Sequence, residues 1–463
     1  MAQPAAPAPR APAAPAAAAP ARPAAAAPAR PAAAAPAARS LLGKLPAVTT
    51  FTLANGLTAA VVSVETVPVV SFQLWYRAGS KDEPRDRRGL AQLVARLMWK
   101  GSGRVRPDAH AQLIGALGGR VSGGTDEDST YFGTELPSAY LDFALQLEAE
   151  RMRGLQLRDT VVNAEREQLA AELAQEDASP IARGLRRLLE LSFTKHPYAW
   201  PSGGVVADLK AVTTADAKRF YDTYYVPGNA FLVVVGDVTA DLVRASLEAH
   251  FGALAGAPIT RLARASDEPA PTAQRREASQ PGQLGLVMTG YPVPAAASPD
   301  WAALQLAAAI LGSGDAGRIK QRLRAGPKEL GLDGGVTAQP REHPGLFITL
   351  AAYREAANGP AVEAAMLDEL GKLAQRGPTV DELRWAKAQL VTRAVFAVES
   401  GSGLASALGR SWIWYGDARA FAADVDRIDA VKAEDIKRVL TTYLRPDRAT
   451  ILAVPPAVKA AKP

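Results

Sequence analysis

From Leu45 onward, apolar and polar positions fall into short runs broken by turn residues. Thr49–Leu53, Leu57–Val64 and Val69–Arg77 read as strands, and Asn55-Gly56 supplies a hairpin turn between the first two. The apolar period then lengthens to that of a helix over Gly89–Met98 and again around Ala109–Leu117. Strands return at Arg120–Thr125 and Ser129–Leu136, followed by long helices over Ala139–Met152 and Thr160–Gln175. A last strand, Ala230–Val235, runs into Gly236-Asp237. Beyond it, Leu254–Gly282 is rich in Pro, Ala, Gly and polar residues and reads as a linker.

The pattern then repeats. Ala211–Val235 and Ala430–Val454 align at a constant offset of 219 residues. Asp216, Lys218, Arg219, Thr223, Tyr224 and Pro227 match Asp435, Lys437, Arg438, Thr442, Tyr443 and Pro446. Gln168-Leu169 has a weaker echo in Gln389-Leu390. An internal repeat of this size predicts two similar α+β units. The predicted organisation is a tether over 1–44, a first unit over 45–253, a linker over 254–281, a second unit over 282–456 and a tail over 457–463.

Composition adjusts this picture in three places. The 463 residues are 48% hydrophobic, enough to supply a sizeable core, and no run is long and apolar enough to span a bilayer. The absence of cysteine excludes disulfides, thiolate zinc sites and a cysteine nucleophile, and leaves the redox compartment open. The net charge of +6 suggests a nucleic-acid partner until the charges are located. Residues 1–39 hold 23 Ala, 10 Pro and four Arg with no acidic residue, so the remaining 424 residues carry only +2. That balance excludes the basic footprint of a nucleic-acid binder. The tail itself reads as an extended, disordered Ala/Pro tether, since repeated prolines prevent a continuous helix.

Candidate chemistry is sparse. His110, His196, His250 and His343 are each isolated in sequence, without metal-ligand spacing, and read as structural histidines. Gly312-Ser313-Gly314-Asp315-Ala316-Gly317 lacks the Lys-Ser/Thr that completes a phosphate-binding loop.

What remains is a set of segments in a definite order. Gly79-Ser80-Lys81-Asp82-Glu83 precedes Gly89-Leu90-Ala91-Gln92-Leu93-Val94-Ala95-Arg96-Leu97-Met98-Trp99-Lys100-Gly101-Ser102. Gly118-Gly119, Thr125, Asp128, Thr130 and Tyr131 follow, then His196-Pro197-Tyr198, then Tyr225-Val226-Pro227-Gly228-Asn229-Ala230. This order closely resembles the insulinase/pitrilysin family of zinc peptidases, the inverted zincins, from about Thr49 to Val454. The resemblance implies two homologous α/β sandwich domains, each a mostly antiparallel sheet packed by helices, together forming half of a clam-shell.

In that family a helix carries H-x-x-E-H, two zinc-binding His flanking the Glu that activates the metal-bound water, and a Glu on a later helix completes the ligands. The resemblance places Gln92, Ala95 and Arg96 at the His, Glu and His positions, Glu172 at the distal ligand and Glu165 at its acidic neighbour. Gln is a poor zinc ligand, Arg is a permanent cation and Ala has no proton to exchange. The expectation is therefore no zinc and no peptidase activity, with Arg96 replacing the metal as the charge partner of Glu172 and Glu165. The Ser122-Gly123-Gly124-Thr125 segment matches the family's edge strand that pairs with substrate backbone. Arg324 matches an Arg of the second half that holds substrate, although Gly334 stands where its companion Tyr would be.

Non-catalytic family members pair with a catalytic subunit. The expected role is thus an inactive subunit that joins a catalytic insulinase/pitrilysin-family peptidase and helps bind unfolded peptides. A non-proteolytic assembly subunit, and an active metallopeptidase with a substitute metal site, remain open as alternatives. The tether and the family's habits favour a periplasmic location over a cytoplasmic one.

Overall fold

The computed structural model describes residues 46–256, 259, 268–325 and 329–457. The expected tether, 1–44, and all but the first residue of the expected tail, 457–463, lie outside them.

The first half opens with β1 (Val48–Thr52), β2 (Thr58–Ser63) and β3 (Val69–Tyr76). Helices α1 (Leu90–Leu97) and α2 (Ala109–Ala116) precede β4 (Arg120–Thr125) and β5 (Thr130–Pro137). Then come α3 (Leu141–Gly154), α4 (Asp159–Glu176), α5 (Pro180–Ser192), α6 (Val206–Ala211), α7 (Thr214–Tyr224), β6 (Ala230–Gly236) and α8 (Ala240–Phe251). The six strands lie in the order β1-β2-β6-β3-β5-β4, antiparallel except for β2 against β6. The predicted turn forms as read: Gly56 adopts φ +91, and the Asn55 side chain accepts the Leu57 N–H and donates to Phe251 O at 2.7 Å. A positive φ of this kind is open to glycine at little cost.

The second half holds β7 (Arg275–Ala278), β8 (Gly285–Val293), α9 (Trp301–Gly312), α10 (Arg318–Arg324), β9 (Asp333–Gln339) and β10 (Gly345–Tyr353). It continues with α11 (Gly359–Arg376), α12 (Val380–Ala397), α13 (Gly401–Tyr415), α14 (Ala422–Ala430), α15 (Ala433–Tyr443) and β11 (Thr450–Val454). Its sheet runs β7-β11-β8-β10-β9. The predicted linker needs one correction. Arg275–Ala278 is a strand that pairs in parallel with β11, covering an edge whose backbone N–H and C=O groups would otherwise be left unpaired. Its brevity and its charged residues hid it among the linker's polar positions.

The repeat is structural. Helices α7 and α15 are related by the 219-residue offset, and the matched acids explain why: Asp216 accepts the Thr213 N–H at 3.0 Å, and Asp435 accepts the Lys432 N–H at 2.9 Å. Each acid caps the first turn of its helix.

The two domains exchange a helix. Helix α13 of the second half lies on the first sheet, where Leu404, Leu408 and Ile413 pack with Val62, Trp75, Phe231 and Val233. Helix α5 of the first half lies on the second sheet, where Leu188 packs with Leu286, Met288, Leu346 and Leu452. This exchange explains the unbroken apolar run of β6, whose seven residues are all buried because both faces are covered. Polar contacts fix the register: Gln73 donates to Ser402 O and Ser406 Oγ at 3.0 and 2.9 Å, and Arg77 donates to Trp412 O at 2.8 Å. The two halves form one unit.

Candidate functional site

The site begins at the N-terminus of α1. Glu83 is fully buried and accepts the N–H groups of Gly89 and Ala91 at 2.9 and 2.8 Å, anchoring the first turn. Burial pushes its carboxyl up to about 8, against the lowering effect of those two hydrogen bonds. Leu90, Ala91, Leu93, Val94 and Leu97 enter the core, so Gln92, Ala95, Arg96 and Lys100 are left on the opposite, half-buried face. Helical spacing puts Gln92, Ala95 and Arg96 on one stripe, and Lys100 follows just past the end of the helix.

Helix α4 runs beside that stripe. Its Val162, Leu169 and Leu173 are buried, and Glu165 and Glu172, nearly two turns apart, face α1. Arg96 donates through Nη1 and Nη2 to the two oxygens of Glu172, at 2.7 and 3.1 Å, and through Nε to Glu165 at 3.2 Å. Lys100 reaches the other Glu165 oxygen at 3.0 Å and Asp108 at 2.9 Å. Gln168 adds a hydrogen bond to Glu172 at 3.1 Å.

The electrostatics follow from these contacts. Burial opposes the Arg96 charge, but the hydrogen bonds that it donates to Glu172 and Glu165 outweigh it and raise its pKa. The Arg96 hydrogen bonds in turn hold the Glu172 carboxyl below the usual carboxylate range. One turn before Arg96, Gln92 Oε1 is buried with no hydrogen-bond partner among the described residues, and a Cβ on Gly203 would lie 3.2 Å from it. No group of three or more His, Cys, Asp or Glu side chains able to hold a metal occurs among the described residues.

Strand β4 stands at the outer edge of the first sheet, where it pairs only with β5 among the described residues. Ser122, Gly123 and Gly124 are exposed and Thr125 is half-buried. The glycines answer to rings beneath them: a Cβ on Gly124 would lie 2.9 Å from the Tyr131 ring, and one on Gly123 would lie 3.3 Å from the Trp99 indole. Trp99 follows the end of α1, so the strand edge and the Arg96 stripe are neighbours. Arg324 is elsewhere. It ends α10 in the second half and donates to Leu332 O at 3.1 and 3.3 Å. No hydrogen bond or ion pair joins it to β4, Arg96 or Glu172 among the described residues.

Sequence reasoning missed a second polar cluster, where the halves meet. Lys81 bonds Asp128 at 2.9 Å and also pairs with Glu342, Tyr198 donates to Asp128, and Arg341 donates to Glu127 at 2.9 Å. Burial opposes the Lys81 charge, but Asp128 and Glu342 outweigh it and raise its pKa. The isolation of the histidines in sequence does not hold in space: the rings of His196 and His343 lie 5.3 Å apart. His196 Nδ1 accepts the Tyr198 N–H at 3.2 Å, while its buried Nε2 has no partner among the described residues. Lys81, Asp128 and His196-Pro197-Tyr198 stood out as motif residues; only the fold brings Arg341-Glu342-His343 to them.

This architecture has known counterparts. A family profile described as Insulinase (Peptidase family M16) matches residues 58–201, and one described as Peptidase M16 inactive domain matches residues 211–390. The chain is 26% identical over 426 residues to the zinc protease PqqE of Helicobacter pylori, covering 89% of this chain and 94% of that one. It is 24% identical over 420 residues to a probable mitochondrial-processing peptidase subunit beta of Arabidopsis thaliana, covering 89% and 79%. The crystal structure of a protease from Helicobacter pylori superposes with a TM-score of 0.84 at 26% identity, over 89% of this chain and 100% of that one. The chain belongs to the insulinase family, peptidase family M16.

Proposed function

We propose that this chain is a proteolytically inactive insulinase-family subunit that pairs with a catalytic zinc-peptidase subunit and binds unfolded peptide segments along β4. The observation that carries the reading is the Arg96 guanidinium, which takes both oxygens of Glu172 and one of Glu165. The residues do not fit zinc. The one carboxylate at the distal-ligand position is already saturated by a cation, the neighbouring donor is a Gln amide, and a second cation would be repelled by Arg96. Ala95 offers no group to move a proton.

Peptide binding draws support from the open backbone of β4, which can take an added antiparallel or parallel strand. Its two glycines leave that edge without side-chain obstruction. Pairing draws support from the plant relative, itself named as a subunit.

The test is zinc content and peptide hydrolysis, measured on protein purified without chelators, alone and mixed with a catalytic family member. Substoichiometric zinc, no cleavage alone and a stable complex in the mixture are expected. One tightly held zinc per chain with cleavage by the isolated protein would overturn the proposal.

A further inference from the structure

Helix α12 is the second-half counterpart of α4. Each runs for 18 residues, and Gln389-Leu390 repeats Gln168-Leu169. The same register sets Arg393 where α4 carries Glu172. The surroundings differ. Glu172 is covered by Arg96, whereas Arg393 has no hydrogen bond or ion pair among the described residues, and neither does Arg410 on α13. Both arginines are exposed.

They flank a groove of about 440 Å³ between α12, α13 and α14, lined by Ala394, Ala397, Ala407 and Trp414. Among the described residues one acid lines it, Asp424, and its carboxylate is engaged by Tyr415 at 3.1 and 3.2 Å and by Arg427 at 2.8 Å. The groove therefore combines an apolar trough with two uncompensated guanidinium groups. Helix α12 is itself thinly covered: Ala386 is its only buried residue, and Phe396 is 66% exposed.

Charge decides the occupant. Residues 1–39 carry four Arg and no acid, and residues 458–463 carry two Lys and no acid, so neither end of this chain complements the groove. Its walls are helices with no strand edge among the lining residues, so an inserted strand would find no backbone to pair with. We infer that the α12–α13 groove receives an acidic amphipathic helix of a partner protein. The helix would place small apolar side chains on Ala394, Ala397, Ala407 and Trp414 and carboxylates on Arg393 and Arg410. No residue of β4 lines this groove among the described residues, and docking of a helix here does not depend on peptide binding along β4.

The probe is a fluorescent Leu/Ala/Glu peptide of about four helical turns, titrated with the full chain by anisotropy beside a twin in which Lys replaces Glu. The acidic peptide should bind and the basic twin should not. Combined Arg393→Glu and Arg410→Glu should weaken binding about tenfold or more, as loss of two charge-assisted pairs implies. Ala407→Trp, which fills the trough, should also weaken it. An excess of an unlabelled Val/Thr peptide, designed to add to a strand edge, should leave the acidic helix bound whether or not β4 binds it. No binding of the acidic peptide, equal binding of the twin, unchanged affinity in the double variant or displacement by the Val/Thr peptide would each overturn the inference.

Discussion

Arg96 grips the Glu172 carboxylate with two nitrogens, at 2.7 and 3.1 Å, across the gap between α1 and α4. The pair is asymmetric in its surroundings: the Glu172 side chain is 45% exposed, whereas that of Glu165, the second carboxylate on the same guanidinium, is 8% exposed. Losing Arg96 leaves Glu172 free to hydrate but leaves Glu165 with Lys100 as its remaining cation. The cost lies between that of an exposed pair and that of a broken buried pair. Arg96→Ala should therefore lower stability by about 1–2 kcal/mol, measured by urea denaturation with an unchanged slope. Arg96→Lys, which cannot make the bidentate contact, should recover only part of it. An Arg96→Ala protein as stable as the parent would show that the pair is ornamental.

Rebuilding a metal site is the converse experiment. Combined Gln92→His, Ala95→Glu and Arg96→His removes the cation from Glu172 and supplies two imidazoles four residues apart on α1, on the face that already meets α4. Zinc content should rise from a trace to about one per chain, the ligand set then being two His and one carboxylate. Failure of the triple variant to take up zinc while still folded would mean that α1 and α4 are not spaced for a metal, and that more than side chains has changed.

How much of this was legible in the sequence depends on range. The Asn55-Gly56 turn, the helical period of α1 and the repeat of α7 in α15 are local signals, set by φ preferences, apolar spacing and capping acids, and they read correctly. The Arg96–Glu172 contact was legible only through resemblance, because nothing local ties residues 76 positions apart. The exchange of α5 and α13 between the sheets was not legible, since an amphipathic helix shows that it has an apolar face and not which sheet that face meets. The same holds for the junction cluster: His196 and His343 are 147 residues apart, and each alone reads as an ordinary structural histidine.

His196 gives the junction a pH dependence. Burial, then the neighbouring His343, lowers its pKa from the ordinary 6.5 to about 3. Asp128 acts in the opposite sense, while Lys81 and Arg341 lower it further. Between these values the unfolded chain binds a proton that the folded chain does not, so stability falls as pH drops from about 6.5 towards 3. A melting-temperature series from neutral to acidic pH should show this slope. His196→Asn, which keeps an acceptor for the Tyr198 N–H and cannot charge, should flatten it. An identical slope in the variant would assign the acid sensitivity to other groups.

Two glycines offer a comparison between the exchanged helices. On α13, a Cβ at Gly409 would lie 2.1 Å from Trp75 Nε1. Trp75 is 2% exposed, stacks on Tyr131 at 4.7 Å and donates to Gln73 Oε1 at 3.1 Å, so its indole has nowhere to retreat. On α5, a Cβ at Gly184 would lie 2.7 Å from Met288 Cε, the far end of a flexible thioether. Both substitutions to Ala gain about 1 kcal/mol of helix propensity. At Gly409 the clash should overwhelm that gain and leave a net loss of about 2–3 kcal/mol, the usual cost of overpacking a rigid core. At Gly184 the methionine can swing aside, and the net change should stay within about 1 kcal/mol of zero. Chemical denaturation of the two single variants reads the difference directly. The comparison separates two accounts of the exchange. If α13 is held by its close approach to Trp75, Gly409→Ala detaches it and exposes the first sheet to a dye that binds apolar surface. If the packing of Leu404, Leu408 and Ile413 holds α13 regardless, the two variants will be equally mild and the close approach will have contributed nothing.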